Sequence, residues 1–361
     1  GPAQKVKDMI RKGQFPFLPE PVPSDPADTR RSNRSRLLQS IITRGPATRA
    51  DLSRRLGLSR PTISVIVNEL LSVGVITEGE RVSSGGAPGT LLEISKRTGV
   101  IVVADLRPQL SVRLSTVSAS GELAGTEEVA AEDADQTEAA IRMFIERGEP
   151  HTVIGVVLCV SGLVVHGEWD GEGERDGRAL ALGLRRSLRL PVFAVNATEA
   201  TAVADLRDSP PDVALATILL DHQVGLALIL GGRLHSGVRR PTGDIGHIAP
   251  GTPGPVCDQC GHACLQRQLL ALHTDPTPHT VENAASALAA VVAPIAGAVE
   301  LTEVVFSGFP DEVATGLAEL TQEALRDRML EVDVPSVRLS QRGPGAAMIG
   351  AAALMLYRIL G

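Results

Sequence analysis

Residues 48–74, TRADLSRRLGLSRPTISVIVNELLSVG, decide the N-terminal fold. Thr48 is a candidate N-cap, and the short helix that follows it is closed by Gly57. Ser59 is a second candidate cap, with Arg60-Pro61 in the first turn of the next helix, where proline is tolerated. Ile63, Ile66, Val67, Leu70 and Leu71 then recur on one face until Gly74 ends the run. Two short helices joined by a tight, glycine-containing turn have the spacing of a helix-turn-helix.

The flanks extend the same unit. Upstream, Leu37, Leu38, Ile41 and Ile42 share a helix face that ends at Gly45-Pro46. Downstream, VITEGERV, SSGGAPG and TLLEI (residues 75–94) read as strand, glycine-rich tip and strand, which is a wing. A generic small helical bundle is the competing reading. Against it stand the polar start of the second helix, the arginine-rich surroundings and the wing that follows at once.

A major groove about 12 Å wide admits one helix, and side chains near its N-terminus reach base edges. Arg60 is the candidate guanine reader. Ser59, Thr62 and Ser64 are candidate donors to bases or phosphates, with Asn68 one turn later. Arg34 and Arg49 are placed to neutralise phosphates, and the wing tip Ser84, Gly85 and Gly86 to lie on the backbone or minor groove.

Charge supports this division. The chain of 361 residues is net −7, yet residues 29–100 are net +7 and residues 101–361 net −14. A basic module on an acidic body suggests that the small part meets a polyanion. At roughly 150 residues per domain, the length allows two or three domains. Four cysteines exclude a disulfide-stapled secreted scaffold, and an aromatic content of 2% argues against readers that stack on single-stranded bases. No apolar run approaches the ~18 residues of a membrane span, so a cytoplasmic protein without a membrane partner is expected. Residues 1–28 read as a flexible arm, because five prolines fall within 14–28.

From about Val100 strands alternate with helices, and two α/β halves in series suggest a bilobal domain with a cleft. The expected architecture is α+β and multi-domain: arm 1–28, winged helix-turn-helix 29–98, bilobal α/β domain 99–361. Within GDIGHIAPGTPGPVCDQCGHACLQ stand His247, Cys257, Cys260 and Cys264. Three thiols and an imidazole suit tetrahedral Zn²⁺, and four protein ligands leave no open position, so the site reads as structural. His262 is a competing fourth ligand. Cys159, inside an apolar strand, reads as core.

Together the winged helix-turn-helix, the Gly-Gly wing tip, GDIGH, the cysteine cluster, PVFAVNATEA and the terminal GAAMIGAAAL resemble the ROK family (repressor, open reading frame, kinase) over residues 30–361. The resemblance implies an actin/hexokinase-like fold for the body, a homodimer or homotetramer, and a sugar-responsive transcription factor with zinc near the sugar pocket. Family kinases carry an Asn-Asp pair whose aspartate is the base; here it is Asn196-Ala197. Their Asp-x-Gly-Gly-Thr phosphate loop is replaced by Asp105-Leu106-Arg107-Pro108-Gln109. Their second phosphate turn becomes Asp221 to Gly225, and the late Gly-Gly contact becomes Ser307-Gly308-Phe309-Pro310. No ATP use is expected.

Family sugar ligands map onto Asn196, Asp244 (usually glutamate), His247 and Gln266 (usually glutamate). Asn196 also reads as the cap of a strand end and Asp244 as a turn. The middle cysteine stands one place later than the family's Cys-x-Cys-Gly. The leading expectation is a DNA-binding regulator, a repressor, that reads a pseudo-palindromic duplex and has a non-catalytic, effector-sensing body. The alternatives are a body that serves only as an interaction module, and a sugar kinase with a fused DNA-binding head.

Overall fold

The computed structural model describes residues 26–82, 88–148, 152–210, 212–235 and 243–361. The chain divides into two compact units, residues 1–200 with 348–361, and residues 201–347.

The first unit opens with α1 (Pro26–Arg44), α2 (Arg49–Leu56) and α3 (Arg60–Ser72), followed by the antiparallel wing strands β1 (Ile76–Val82) and β2 (Gly89–Ile94). The three-to-four spacing read in the sequence becomes a buried core of Leu37, Leu38, Ile41, Ile42, Leu52, Ile63, Ile66, Val67 and Leu70. Gly57 closes α2 with φ +66, a left-handed conformation that L side chains adopt only under strain. The wing is drawn against α2 at Gly89, where an added Cβ would come within 2.9 Å of the Thr48 methyl.

The head's core is not closed by residues 29–98 alone. Ala119, Leu356 and Tyr357 are buried within the same cluster. The last two lie on the C-terminal helix, α10 (Ala346–Leu360), so the two ends of the chain share one apolar core.

The rest of the unit is a five-stranded sheet of order β11-β6-β3-β4-β5. Its strands are β3 (Val100–Asp105), β4 (Ser111–Ser118), β5 (Leu123–Ala130), β6 (Val153–Val160) and β11 (Val192–Asn196). The small hairpins β7 (Val164–Val165) with β8 (Glu168–Trp169) and β9 (Gly171–Glu172) with β10 (Arg175–Asp176) lie between β6 and β11 in the chain. Helices α4 (Ala134–Arg147) and α5 (Gly177–Leu188) make the crossovers to parallel β6 and β11. Buried on both faces, β6 reads as the continuous run VIGVVLCV, and Cys159 is 0% exposed, a core thiol.

The second unit repeats the topology. After α6 (Ala197–Asp205), strands β12 (Leu215–Leu220), β13 (Val224–Leu230), β14 (Arg233–Leu234), β15 (Glu303–Ser307) and β16 (Ser336–Leu339) form a sheet of order β14-β13-β12-β15-β16. In each sheet three successive antiparallel strands are extended by two parallel ones. Helices α7 (Leu265–Leu270), α8 (Pro278–Val299) and α9 (Asp311–Arg326) complete the unit. One expectation is corrected here. Two helical segments, Pro278–Val299 and Gly343–Leu360, are by length and composition apolar enough to cross a bilayer. They are 50% and 56% buried within the chain, where the small side chains of α8 pack into a core of Ala284, Ala285, Leu288 and Val292.

Candidate nucleic-acid interface and metal centre

The turn between α2 and α3 is fixed at both ends. Thr48 Oγ1 accepts from the Asp51 amide at 3.2 Å, while the Thr48 amide donates to Asp51 Oδ2 at 3.1 Å, a reciprocal capping box. Burial would raise the Asp51 carboxyl, but the bonds from Thr48 and Arg54 outweigh it and hold it below the usual carboxylate range. Ser53 Oγ donates to the Leu58 carbonyl at 2.6 Å across the turn.

These caps sort the expected readers. Ser59 Oγ accepts from the Thr62 amide at 3.3 Å and lies 2.8 Å from Thr62 Oγ1, so both hydroxyls are engaged in starting α3. The side chains of Arg60, Ser64 and Asn68 bond to no described residue. Arg60 and Asn68 are exposed and Ser64 is half-buried. Arg34 lies 3.8 Å from Glu69 Oε1, and Arg49 lies 3.1 Å from Glu78 Oε1. Arg30 also pairs with Glu69, at 2.7 Å. Exposed pairs of this kind are worth little and exchange readily for a phosphate. Ser84, Gly85 and Gly86 lie outside the described residues. Sequence reasoning passed over Val65, which is 55% exposed on the outward face of α3. Its signal was available: it falls between the buried positions of the helical period.

In the α/β part of the same unit, the segment Asp105 to Ser111 is tied down. Asp105 is 0% exposed and accepts from Arg107 Nε at 2.8 Å and Nη2 at 2.7 Å, with Arg113 at 3.6 Å. Arg175, 4% exposed, donates to the carbonyls of Leu106 (3.0 Å), Pro108 (2.7 Å), Ser111 (2.8 Å) and Ala131. Arg175 did not stand out in the sequence, because it belongs to no motif. Asn196 acts as a cap: Oδ1 accepts from the Thr198 and Glu199 amides at 2.9 and 3.1 Å, and Nδ2 donates to the Gly162 carbonyl at 2.8 Å. Desolvation pushes the Glu199 carboxyl up to about 7.

Asp244, His247 and Gln266 belong to the second unit and Asn196 to the first. Asp244 is exposed and bridges to Gly225 on β13. The Gln266 amide donates to the Gly246 carbonyl at 2.8 Å, which fastens the start of α7 to the GDIGH segment. Next to the late Gly-Gly position, Phe309 packs on Phe306 with ring centroids 5.0 Å apart.

One ligand atom from each of His247, Cys257, Cys260 and Cys264 lies within 4.8 Å of every other. Cys257 Sγ and Cys264 Sγ are each 3.8 Å from His247 Nδ1. Tetrahedral bonds of about 2.3 Å to sulfur and about 2.0 Å to nitrogen give N···S edges of about 3.5 Å, so the donor set fits a metal ion of that size. His262 is not in this group; its carbonyl accepts from the Cys257 and Cys264 amides at 2.8 and 2.9 Å. The backbone amides of Cys260 and Gln259 pull the Cys257 thiol down to about 7, and burial pushes the Cys264 thiol up. The later middle cysteine still reaches the cluster.

The fold is thus a winged helix-turn-helix head followed by an α/β body of two topologically matched halves. The sequence model for winged helix-turn-helix DNA-binding domains matches residues 30–77, and that for the ROK family matches residues 111–271. The chain is 26% identical over 258 residues to the xylose repressor of Bacillus subtilis (strain 168), covering 66% of this chain and 65% of that protein. The xylose repressor of Bacillus spizizenii is also 26% identical, over 255 residues. The chain thus spans about 65% of the length of these curated relatives. Among solved structures, a ROK family transcriptional regulator described as a homolog of the E. coli MLC protein has a TM-score of 0.69. It is 20% identical and matches over 92% of this chain and 98% of its own. A ROK hexokinase from Thermus thermophilus has a TM-score of 0.56 at 21% identity, over 71% of this chain and 97% of its own.

Proposed function

We propose that the protein is a sequence-specific, double-stranded-DNA-binding transcriptional repressor whose ROK body holds two heads in register and senses a sugar-like effector. The observation that carries this reading is the outward face of α3. The side chains of Asn68 there, of Ser64 beside it and of Arg60 in the first turn bond to no described residue, while Ile63, Ile66, Val67 and Leu70 are buried on the inward face. An unengaged polar face on the second helix of a helix-turn-helix is what a major groove takes. The repressor names of the relatives support the same assignment.

A homodimer or homotetramer would present paired heads to a pseudo-palindromic operator. A sugar bound by Asp244, His247 and Gln266 would act through any affinity difference between DNA-competent and DNA-incompetent arrangements. A pentose is the first class to test, given the relatives. The full engagement of Asn196 Oδ1 in capping supports a second reading, in which the body is an interaction module without a small-molecule ligand.

The body carries no phosphoryl transfer in this proposal. Ala197 supplies no base, Arg107 neutralises Asp105, and Arg175 fixes the segment that would have to wrap phosphate. His247, Cys257, Cys260 and Cys264 would hold a structural Zn²⁺; when bound, it cross-links the loop without an open coordination position. A cytoplasmic location follows from this role.

The test is duplex binding by the full chain over a salt series. Arg60→Ala is expected to relax base preference at one position of each half-site, by about 1–3 kcal/mol. Arg34→Ala is expected to weaken all duplexes alike and flatten the salt dependence. Equal effects of both variants on every duplex overturn the assignment. A screen of pentoses and hexoses for release of the bound duplex separates the sensing body from the interaction module.

A further inference from the structure

We infer that Val65 is a base-reading residue of α3 and that it recognises the 5-methyl group of a thymine; this rests on the operator-binding reading above. Four buried side chains, Ile63, Ile66, Val67 and Leu70, define the inward direction of the helix. At 100° per residue, the middle of the opposite face falls on Pro61, Val65 and Asn68, with Arg60 and Ser64 to one side. Pro61, Val65 and Asn68 are all exposed. The side chains at the middle of that face enter a groove most deeply, and Val65 is the apolar one with reach.

Val65 is 55% exposed on a helix where Ile63, Ile66, Val67 and Leu70 are at most 2% exposed. It therefore adds nothing to the core of the head. Beside it stand Asn68 and Ser64, whose side chains bond to no described residue. An isolated apolar side chain between polar readers matches one feature of the major-groove edge. The thymine methyl is its apolar group, distinguishing T·A from C·G where hydrogen bonding alone has a second solution.

Spacing agrees. Val65 and Asn68 are three residues apart, about 4.5 Å along the helix axis. Base pairs rise by about 3.4 Å, so the two side chains meet the same or adjacent base pairs. Asn68 has the donor and acceptor geometry for adenine N6 and N7. The geometry therefore assigns this part of the helix to an A·T-containing step, with Val65 on the methyl.

The experiment uses the full chain and a random-sequence duplex pool, from which the preferred duplex is enriched. Each thymine in that duplex is then replaced singly by uracil, which removes the methyl and leaves every hydrogen-bonding group in place. Wild-type protein is expected to lose about fourfold in affinity at one thymine per half-site, the worth of one buried methyl-sized group. Val65→Ala is expected to bind the thymine and uracil duplexes equally while retaining its preference at the Arg60 position. If uracil costs nothing at any thymine, or the penalty is unchanged in Val65→Ala, the inference is overturned although the operator reading stands. If the pool enriches nothing, the operator reading itself fails and Val65 with it.

Discussion

The hydroxyl of Tyr357 lies 2.7 Å from Ser35 Oγ, in a buried hydrogen bond between residues 322 positions apart in the chain. Ser35 sits on α1 of the winged helix-turn-helix head and Tyr357 on α10. The same helix places Met355 against Gly155 of β6, and Arg358 over the Phe193 ring of β11 at 4.2 Å. One face of α10 thus completes the head and another packs on the α/β sheet of the same unit.

Tyr357→Phe is expected to destabilise the first unit by about 1–3 kcal/mol, because the buried Ser35 hydroxyl is left without its partner. Adding Ser35→Ala should recover much of that loss, since removing both polar groups costs less than orphaning one. Urea unfolding of the four proteins of this cycle gives the coupling energy; additive losses would show that the bond is not the stabilising link.

Arg175→Met is expected to cost at least about 3 kcal/mol, because it withdraws donors from four carbonyls around residues 106–131. Replacing Ala197 by Asp should yield no ATP-dependent sugar phosphorylation in a coupled assay, since Asp105 remains paired with Arg107. Turnover by that single variant would refute the account of the altered loop.

Desolvation gives Glu199 a folded-state pKa of about 7 against an ordinary 4.5, and gives Asp205 about 6 against 3.8. For Asp205, burial outweighs the bonds from Ser340 and Thr217. Raised carboxyl pKa values mean that the folded state holds protons the unfolded state releases. Their contribution is complete below pH 4.5 for Glu199 and 3.8 for Asp205, and is lost as pH rises through about 7 and about 6 respectively. Glu199→Gln should therefore flatten the decline in melting temperature between about pH 5 and about pH 8. An unchanged slope would mean that Glu199 is not desolvated in solution.

Chelation is expected to lower the melting temperature of the wild-type protein and to release one metal ion per chain. Cys260→Ser should weaken metal retention more than His262→Ala, because His262 lies outside the cluster. Metal content after dialysis, with a thiol titration, distinguishes these variants; equal retention in both would argue against the ligand set.

How much of this was legible in the sequence varied with the range of the interaction. Gly57, Ser59 and Pro61 act within one turn of the chain, so the helix-turn-helix could be read residue by residue. The four metal ligands fall within 18 residues, and the spacing alone brought them together in expectation, yet choosing His247 over His262 needed the fold. Asn196 looked like a ligand from its motif and was found serving as a cap, an alternative the sequence had left open.

The order of residues alone determined where helices start and stop, which faces are apolar, and that alanine, not a carboxylate, follows Asn196, because caps, periodicity and side-chain chemistry are local. Only the tertiary structure decided that Tyr357 closes the core of a head more than 250 residues upstream, that Arg175 and Arg107 immobilise the segment around residues 105–111, and that Val65 faces outward from a head otherwise apolar within. Burial and hydrogen bonding across distant segments depend on which surfaces meet, and that is a property of packing.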